Sequence, residues 1–342
     1  MRALAPSLGT MTRLDYTRDE HSRRYGRVAR LMPEMEWDAH FDTVCAIEAL
    51  KRERNAIVLA HNYQRPEIFH GVADVQGDSL ALAGAAARSR ADVVVMCGVH
   101  FMAETAKLLA PQKTVLLPDT RAGCSLADAI TADDVRALRA AHPGAPVVCY
   151  VNTSAAVKAV SDVCCTSANA LEIIESLGEP EVIFVPDQFL AAWVAKHTRV
   201  RIIPWAGRCE VHERFTAAEI EDYRRDTQAF VLAHPECSPE VQSAADYVGS
   251  TSGMIAALRQ ARPARAVLIT ECSMADNVSS AFPETEFLRP CNLCPHMQRI
   301  TLTGIHAALR DLSPVIEIER SVAPAARACV QRMFEQTYRL TA

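Results

Sequence analysis

The sequence predicts an α/β protein made of three similar α/β/α three-layer units with parallel sheets, arranged around a pseudo-threefold axis. From about residue 41 onward, short apolar runs rich in β-branched residues alternate with Ala-rich helical stretches. Strands and helices that alternate at this spacing form parallel sheets with helices on both faces. The alternation also recurs three times along the chain. Because ligands of parallel sheets bind beyond the carboxyl ends of the strands, we expect one active site at the centre.

Eight strands are predicted from the apolar, β-branched runs. In chain order they are Ile57–Ala60, Val93–Cys97, Thr114–Leu117, Val147–Val151, Val182–Val185, Arg201–Ile203, Phe230–Ala233 and Val267–Thr270. The helices are predicted from longer, Ala-rich stretches that follow these strands. The clearest helices are Ser79–Ala91, Met102–Leu109, Leu171–Leu177, Phe189–His197 and Met254–Gln260.

Polar residues at fixed positions show that the repeat goes beyond the recurrence of strands and helices. Three aspartates align after the first strand of each unit, and three hydroxyl residues align five positions later. The aspartates are Asp74, Asp162 and Asp246, and the hydroxyl residues are Ser79, Ser167 and Thr251. Both sets are separated by 88 and then 84 residues. Ordinary α/β self-similarity does not predict the same polar residue at the same turn three times, so we favour a triplicated chain.

The repeat also sets the expected domain boundaries. The three units are predicted to cover residues 41–129, 130–215 and 216–294. Residues 1–40 are rich in charges and lack periodicity, so they are expected to form a peripheral N-terminal extension. Residues 295–342 are expected to form C-terminal helices that pack back on the first unit.

Composition excludes several classes of protein. The chain has 342 residues with 41 acidic and 36 basic side chains, which gives a net charge of −5. This balance gives no reason to expect nucleic acid or an anionic membrane as a partner. No apolar run approaches the ~18 residues of a membrane span, and the first forty residues lack the apolar segment of a secretion signal. We expect a cytoplasmic protein.

Twelve cysteines are unusual for a chain without a secretion signal. Three of them, Cys124, Cys209 and Cys294, follow a proline at the end of a strand in each unit and are separated by 85 and 85 residues. Three thiolates from equivalent turns could hold a zinc ion with an open position, or a [4Fe–4S] cluster with one open iron. Core packing is favoured for Cys45, Cys97, Cys149 and Cys329, whereas Cys164, Cys165, Cys237 and Cys272 stay open.

The turn after the first strand of each unit carries side chains suited to acid–base chemistry. These side chains are His61 and Tyr63, Tyr150 and Asn152, and His234 and Glu236. The hydroxyls of Ser79, Ser167 and Thr251 stand where helices begin, so they either bind an anionic ligand or cap the helix. Their equivalence around a shared centre favours contact with a ligand.

Long strings of residues, in order along the chain, resemble the quinolinate synthase family, the A-type enzymes of de novo NAD synthesis. The strings are AHNYQRPEI, GDSLALA, GVHFMAETAK, LLPDTRAGCSLAD, YVNTSAAVKA, TSAN, VPDQFLA, GRCEVHERF, HPECSPEV, GSTSGMI and CNLCPHMQRITL. The resemblance covers about residues 41–335. It implies three α/β/α domains about a pseudo-threefold axis, which is the fold that the repeat predicts.

The resemblance implies that Cys124, Cys209 and Cys294 hold an oxygen-sensitive [4Fe–4S] cluster, with one iron left open as a Lewis acid. Cys291 forms a Cys-x-x-Cys pair with Cys294, so it is a neighbour that could form a competing disulfide. Some relatives have a further cysteine three residues earlier, where this chain has Leu288.

The resemblance also implies the reaction, in which iminosuccinate condenses with dihydroxyacetone phosphate to give quinolinate, phosphate and water. It makes Tyr63 and Glu236 the acid–base pair, and His212 a group that supports the substrate or a neighbouring ligand. The substrate-binding residues that it implies are His61, Ser79, Tyr150, Val151, Asn152, Ser167, His234, Pro235, Glu236 and Thr251. The enzyme that produces iminosuccinate is an expected further partner.

Three other functions stay open at this point. Gly77-Asp78-Ser79-Leu80 matches the short signature of a serine esterase class, although the last third of the chain lacks an Asp-x-x-His spacing. A zinc-dependent lyase or hydrolase could use the same three cysteines, and a module that binds small anions could use the same turns. The remaining histidines without repeat support are expected to be surface or core residues; they include His70, His100 and His296.

Overall fold

The computed structural model describes residues 18–340, and this part of the chain contains three four-stranded parallel sheets. The first sheet consists of β1 (Ala56–His61), β2 (Val75–Gly77), β3 (Val93–Cys97) and β4 (Thr114–Leu116). The second sheet consists of β5 (Val147–Tyr150), β6 (Val163–Cys165), β7 (Glu181–Val185) and β8 (Arg201–Pro204). The third sheet consists of β9 (Phe230–Ala233), β10 (Tyr247–Val248), β11 (Arg265–Ile269) and β12 (Glu286–Leu288).

The three sheets share one strand order. Their orders are β2-β1-β3-β4, β6-β5-β7-β8 and β10-β9-β11-β12, so the first strand of each set lies between the second and the third. All the pairings are parallel. Parallel neighbours need a connection that crosses the sheet, and helices supply most of these connections. The predicted fold class, three similar α/β/α units, is confirmed.

Sixteen α-helices occur within the described residues 18–340. They are α1 (Arg18–Val28), α2 (Glu34–Glu53), α3 (Pro66–Phe69), α4 (Ser79–Arg88), α5 (His100–Leu109), α6 (Ser125–Asp128), α7 (Ala132–Ala141), α8 (Ala155–Ala159), α9 (Ala170–Ser176), α10 (Gln188–His197), α11 (Ala217–Thr227), α12 (Pro239–Ala244), α13 (Thr251–Ala261), α14 (Ser273–Ser279), α15 (Leu302–Asp311) and α16 (Ala323–Leu340). Within the same range, no helix combines the length and the apolar character needed to cross a membrane.

The aligned aspartates stabilise the sheets and do not belong to the site. Each one accepts a hydrogen bond from a backbone N–H of the first strand in its sheet, at 2.8, 2.7 and 2.9 Å. The pairs are Asp74 with Val58, Asp162 with Val147, and Asp246 with Val231. Each aspartate also forms an ion pair with a basic side chain, respectively Lys51, Arg139 and Arg224. The strongest mark of the repeat is therefore a structural contact that every sheet uses.

Residues 18–40 form part of the core, which corrects the expectation of a peripheral extension up to residue 40. The side chains of Val28, Trp37 and Phe41 are buried in the main apolar core together with the strands of the first two sheets. Arg24 donates a hydrogen bond to the carbonyl of Gly71 at 2.9 Å. Helix α1 has few apolar residues among its charged ones, and most of the buried face of α2, including Phe41 and Val44, lies after residue 40. The expected extension otherwise falls on residues 1–17, outside the described range.

The two C-terminal helices pack on different units. Helix α15 packs on α2 and β3, which belong to the first predicted unit. Helix α16 instead packs mainly against α8, β6 and α9 of the second unit, with a further contact to α5 of the first. The expectation that residues 295–342 pack back on the first unit describes only part of the contacts of α16, whose buried Cys329 contacts Cys149 of β5 in the second unit. The unit boundaries themselves stay a prediction.

Replacing Trp37 tests whether the N-terminal helices belong to the core. The side chain of Trp37 is 0% exposed, so Trp37→Ala is expected to lower the free energy of unfolding by about 3–5 kcal/mol. Met35 lies on the same helix and is 82% exposed, so Met35→Ala is expected to change the free energy of unfolding by less than about 0.5 kcal/mol. Urea unfolding followed by circular dichroism measures both. Equal effects of the two substitutions would mean that α2 is peripheral.

Candidate active site

Turns at the carboxyl ends of all three sheets line one cavity, whose volume is about 80 Å³. The sequence-predicted residues that line it are His61, Tyr63, Ser79, Tyr150, Val151, Asn152, Ser167, His212, His234, Glu236, Thr251, Cys124, Cys209 and Cys294. Pro235 lies at the same turn as Glu236 but is not among the lining residues, and its carbonyl accepts a hydrogen bond from Gln242 at 2.9 Å. Parallel strands bring these turns together because their carboxyl ends point the same way.

Two buried histidines at equivalent turns are held in the same tautomer. The Nδ1 atom of His61 accepts a hydrogen bond from the backbone N–H of Tyr63 at 3.2 Å, and Nδ1 of His234 accepts one from that of Glu236 at 3.3 Å. Burial lowers the pKa of His61 to about 4 and that of His234 to about 3. Both rings are therefore neutral at pH 7 and carry their proton on Nε2. The Nε2 atom of His234 lies 3.2 Å from the hydroxyl of Ser167.

The carboxylate of Glu236 lies at the centre of the polar side chains. Tyr150 donates its hydroxyl proton to Oε1 at 2.6 Å, and Nδ1 of His212 lies 2.8 Å from Oε2. Burial opposes ionisation, but the hydrogen bonds from Tyr150 and His212 favour the charged form and hold the pKa of Glu236 below its usual value. In turn, burial and the charge of Glu236 raise the pKa of Tyr150 well above its usual value. This turn therefore holds an ionised base next to a protonated phenol.

A chain of hydrogen bonds connects Glu236 to Tyr63. The hydroxyl of Tyr63 lies 2.6 Å from Oγ1 of Thr270, and that oxygen lies 2.9 Å from Nε2 of His212. When the ring of His212 has one proton and donates it from Nδ1 to Glu236, its Nε2 accepts from Thr270, which accepts from Tyr63. Burial, followed by the charge of Glu236, raises the pKa of Tyr63 well above its usual value. The geometry therefore connects a protonated phenol to a buried carboxylate.

The hydroxyl residues at the helix starts are not the capping residues. Ser79 is the first residue of α4, whose cap is Asp78, and Thr251 is the first residue of α13, whose cap is Ser250. The capping alternative is thus wrong for Ser79 and Thr251. The hydroxyl of Thr251 instead accepts a hydrogen bond from the side chain of Asn62 at 2.9 Å, which joins the first unit to the third.

The three repeat-related cysteines differ from the other free cysteines of the described residues. Cys124, Cys209 and Cys294 are partly exposed and line the cavity, whereas the other seven free thiols are buried. Burial raises the pKa of Cys124 to about 12 and that of Cys294 to about 11, and it raises the pKa of Cys209 well above its usual value. Backbone N–H groups two and three residues further on oppose this rise in each case, from Leu126 and Ala127, Val211 and His212, and His296 and Met297. Three such thiols suit a soft metal centre.

The cysteine group and the acid–base group adjoin one another. Nδ1 of His212 lies 3.1 Å from the sulfur of Cys209 as well as 2.8 Å from Glu236. One ligand-type atom from each of these three residues lies within 4.8 Å of the others. A group bound at the cysteines would therefore lie beside the carboxylate and the imidazole.

Sequence reasoning missed several residues of the cavity. Glu271 is buried and accepts hydrogen bonds from the backbone N–H groups of Ser273 at 2.8 Å and Cys294 at 3.3 Å, so it holds one cysteine loop in place. Burial raises the pKa of Glu271 to about 7. His296, expected at the surface or in the core, lines the cavity and lies 3.0 Å from Glu210. Residues that occur in one unit only give no repeat signal, so these could not be found by that route.

The cysteine next to the last ligand candidate has an unexpected partner. Cys291 forms a disulfide with Cys272, and their Cα atoms are 4.9 Å apart. The sequence suggested a pair between Cys291 and Cys294, whereas the structure leaves Cys294 as a free thiol that lines the cavity. Cys272 is the cap residue at the start of α14 and follows Glu271 in the chain. Because Glu271 binds the backbone of Cys294, Cys272 lies close to the loop that contains Cys291.

Comparison with known proteins gives the family. The family model described as Quinolinate synthetase A protein matches residues 45–335. The chain belongs to the quinolinate synthetase A protein family. Quinolinate synthase of Agrobacterium fabrum is 59% identical over 312 residues, which make up 91% of this chain and 90% of that protein. Quinolinate synthase 2 of Mesorhizobium japonicum is 60% identical over 311 residues, 91% of this chain and 96% of the relative.

A third relative extends the same result. Quinolinate synthase of Xylella fastidiosa strain Temecula1 is 58% identical over 290 residues, which cover 84% of this chain and 86% of that protein. Membership of the quinolinate synthetase A protein family confirms the resemblance drawn from the sequence strings. It also confirms the expectation of an enzyme.

Thiol labelling tests the division of the cysteines. In metal-free native protein without reductant, iodoacetamide is expected to modify Cys124, Cys209 and Cys294 before the seven buried thiols, because only these three face the cavity. Their raised pKa values make the reaction slow at pH 7 and faster at pH 9. Mass spectrometry of the tryptic peptides measures the order. Labelling of Cys97 or Cys149 at the same rate would contradict the assignment.

Proposed function

We propose that this chain forms quinolinate by condensing iminosuccinate with dihydroxyacetone phosphate, with release of phosphate and water. The observation that carries the proposal is the meeting, in one cavity, of cysteines from three sheets with the group formed by Glu236, Tyr150 and His212. Relatives named quinolinate synthase are 58–60% identical over most of their length, which supports the same reaction here. A cytoplasmic location and a partner enzyme that supplies iminosuccinate stay predictions.

The proposed cofactor is a [4Fe–4S] cluster that Cys124, Cys209 and Cys294 would hold, with one iron left open. Three partly exposed thiols that face one cavity, each with backbone N–H groups nearby, fit such a group. When bound, the cluster supplies a Lewis acid for an oxygen atom of the substrate. A zinc ion with an open position is the alternative for three thiolates.

Neutral hydrogen-bond donors are proposed to bind the carboxylate and phosphate groups of the substrates. Among the described residues that line the cavity, none is lysine or arginine. Ser79 and Thr251 open α4 and α13, so free backbone N–H groups and the positive end of each helix dipole add to their hydroxyls. The Nε2–H groups of His61 and His234 and the side chain of Asn152 supply further donors. Directional hydrogen bonds would then orient the substrates.

Glu236 and Tyr63 are proposed as the base and the acid. The carboxylate of Glu236 is ionised, so it can accept the proton that leaves the carbon next to the carbonyl of dihydroxyacetone phosphate. The phenol of Tyr63 keeps its proton at pH 7 and can give it to a departing hydroxyl. When His212 carries its proton on Nε2, Glu236 can return the proton it has taken to Nδ1. Nε2 then gives its proton to Thr270, and Thr270 gives its own to Tyr63.

The reaction is tested by anaerobic turnover. Protein purified without oxygen is expected to be brown, to contain about four iron atoms per chain, and to form quinolinate from the two substrates. Glu236→Gln should keep the iron and the colour but reduce kcat by about 10²–10⁴-fold, since the base is lost. Glu240→Gln, on the exposed start of α12, is the matched control and should leave kcat unchanged.

The outcomes of this experiment separate the alternatives. Colourless protein with one zinc per chain and no quinolinate would support a zinc hydrolase or lyase. Metal-free protein that binds the substrates without turning them over would support a binding module. Full activity of the Glu236→Gln variant would remove Glu236 from the mechanism.

Substitution of Thr270 tests the connection between the acid and the base. Thr270→Val keeps the volume but removes the hydroxyl that joins Tyr63 to His212, so kcat should fall about 10- to 100-fold with little change in KM. Thr270→Ser keeps the hydroxyl and should restore most of the activity. Both variants should retain their iron, because the hydroxyl of Thr270 bonds to Tyr63 and His212, and to no cysteine of the described residues. Equal kcat values for the Val and Ser variants would exclude a proton path through Thr270.

A further inference from the structure

The three turns that carry the catalytic side chains share one internal support. Each turn begins at the last residue of a first strand or its equivalent, namely His61, Tyr150 or His234. In each turn, the carbonyls one and three residues further on accept hydrogen bonds from a single buried side-chain nitrogen. We call these two oxygens the turn carbonyls.

In the second unit the nitrogen is that of a lysine. Nζ of Lys158 donates to the carbonyl of Val151 at 2.8 Å and to that of Thr153. The side chain of Lys158 is 0% exposed, and none of the ion pairs found in residues 18–340 includes it. Lys158 lies eight residues after Tyr150. A buried ammonium group without a carboxylate is costly to the fold, so the carbonyls that it binds account for its presence.

In the third unit a glutamine occupies the equivalent position. Gln242 lies eight residues after His234, and its Nε2 donates to the carbonyls of Pro235 at 2.9 Å and Cys237 at 2.8 Å. These are again the turn carbonyls. Its Oε1 atom is buried without a hydrogen-bond partner. The amide group is therefore used for its donors alone.

In the first unit the donor comes from another unit. Eight residues after His61 the chain has Phe69, which cannot donate a hydrogen bond. Nδ2 of Asn277, in α14 of the third unit, instead donates to the carbonyls of Asn62 at 2.9 Å and Gln64 at 2.6 Å. The Oδ1 atom of Asn277 is also buried without a partner. The same two carbonyls are thus held in all three turns, by three different residue types.

We propose that Lys158, Gln242 and Asn277 are positioning residues that fix the catalytic turns. None of the three lines the cavity, so each acts through the turn that it holds. Within the described residues, two of them leave an amide oxygen unpartnered and the third is a buried ammonium group without a carboxylate partner, so all three are used as donors. Each side chain fixes the backbone from which two catalytic or binding groups project, such as Tyr150 and Asn152 in the second unit. The effect on turnover rests on the proposed function.

Exchange of the two equivalent donors tests the proposal. Lys158→Met removes the donor and keeps the length of the side chain, and Lys158→Gln introduces the group that the third unit uses. Lys113→Met is the matched control, because Lys113 is also buried and donates to two backbone carbonyls, those of Ala86 and Ser89, which lie outside the cavity. All variants are prepared anaerobically as the iron-containing protein.

Three quantities are measured for each variant: kcat and KM, iron content, and backbone amide exchange of residues 150–154. Lys158→Met is expected to lower kcat/KM by about tenfold or more relative to Lys113→Met, since a misplacement of ~1 Å costs on the order of 10². Among these variants, only Lys158→Met should show faster backbone amide exchange in residues 150–154, and its iron content should be unchanged. Lys158→Gln should recover at least a third of the wild-type kcat/KM, because its amide can donate to the turn carbonyls as that of Gln242 does.

The opposite results overturn the proposal. It fails if Lys158→Met matches Lys113→Met both in kcat/KM and in the exchange of the turn. If Lys158→Met does not fold, Lys158→Gln and Gln242→Lys decide: retention of a third of the activity by both supports positioning, and a loss beyond about 30-fold in either folded variant contradicts it. If the wild-type protein forms no quinolinate, the proposed function fails, whereas the exchange of the turn still tests the support.

Discussion

The carboxylate of Glu236 has to stay charged although it is only 4% exposed, and the centre of the molecule depends on how that charge is held. Burial alone favours the neutral acid. The charge persists because Tyr150 from the second sheet and His212 from the loop after β8 each reach one of the two oxygens. A turn of the third unit can therefore carry a base only when the second unit is docked against it. The ionisation of Glu236 and the packing of the units thus depend on the same two hydrogen bonds.

The repeat is used differently at different levels of the structure. Two features keep the same residue type in every unit, namely the aspartates that bind the first strands and the cysteines that face the cavity. At the turns that line the cavity the residues differ, since His61 and His234 occupy positions equivalent to Tyr150. Equivalent backbones thereby present different chemical groups to one cavity. A threefold fold can in this way build a site without threefold symmetry.

The sequence was sufficient for the fold class and for most side chains of the cavity, because both follow from positions that recur 84 to 88 residues apart. Parallel strands bring equivalent turns together, so the spacing of Cys124, Cys209 and Cys294 could be translated into a common location. Thr270 and Glu271 could not be predicted in this way, since no repeat partner marks them. The disulfide between Cys272 and Cys291 depends on which loops touch, which sequence spacing does not determine. The N-terminal helices were missed because α1 has few apolar residues and because only residues 34–40 of α2 precede the predicted boundary.

The support of the first turn shows how far the three units have lost their independence. The second and third units hold their own turn carbonyls, but the first has Phe69 at the corresponding position and depends on Asn277. Asn62, in that same turn, also donates to Thr251 of the third unit. The third unit therefore supplies both Asn277, which donates to the turn carbonyls of the first unit, and Thr251, which accepts from the side chain of Asn62. Since His61 and Tyr63 project from this turn, a first unit without the third would lack the contacts that place these two side chains at the cavity. The site is consequently a property of the assembled chain, although each sheet repeats the same topology.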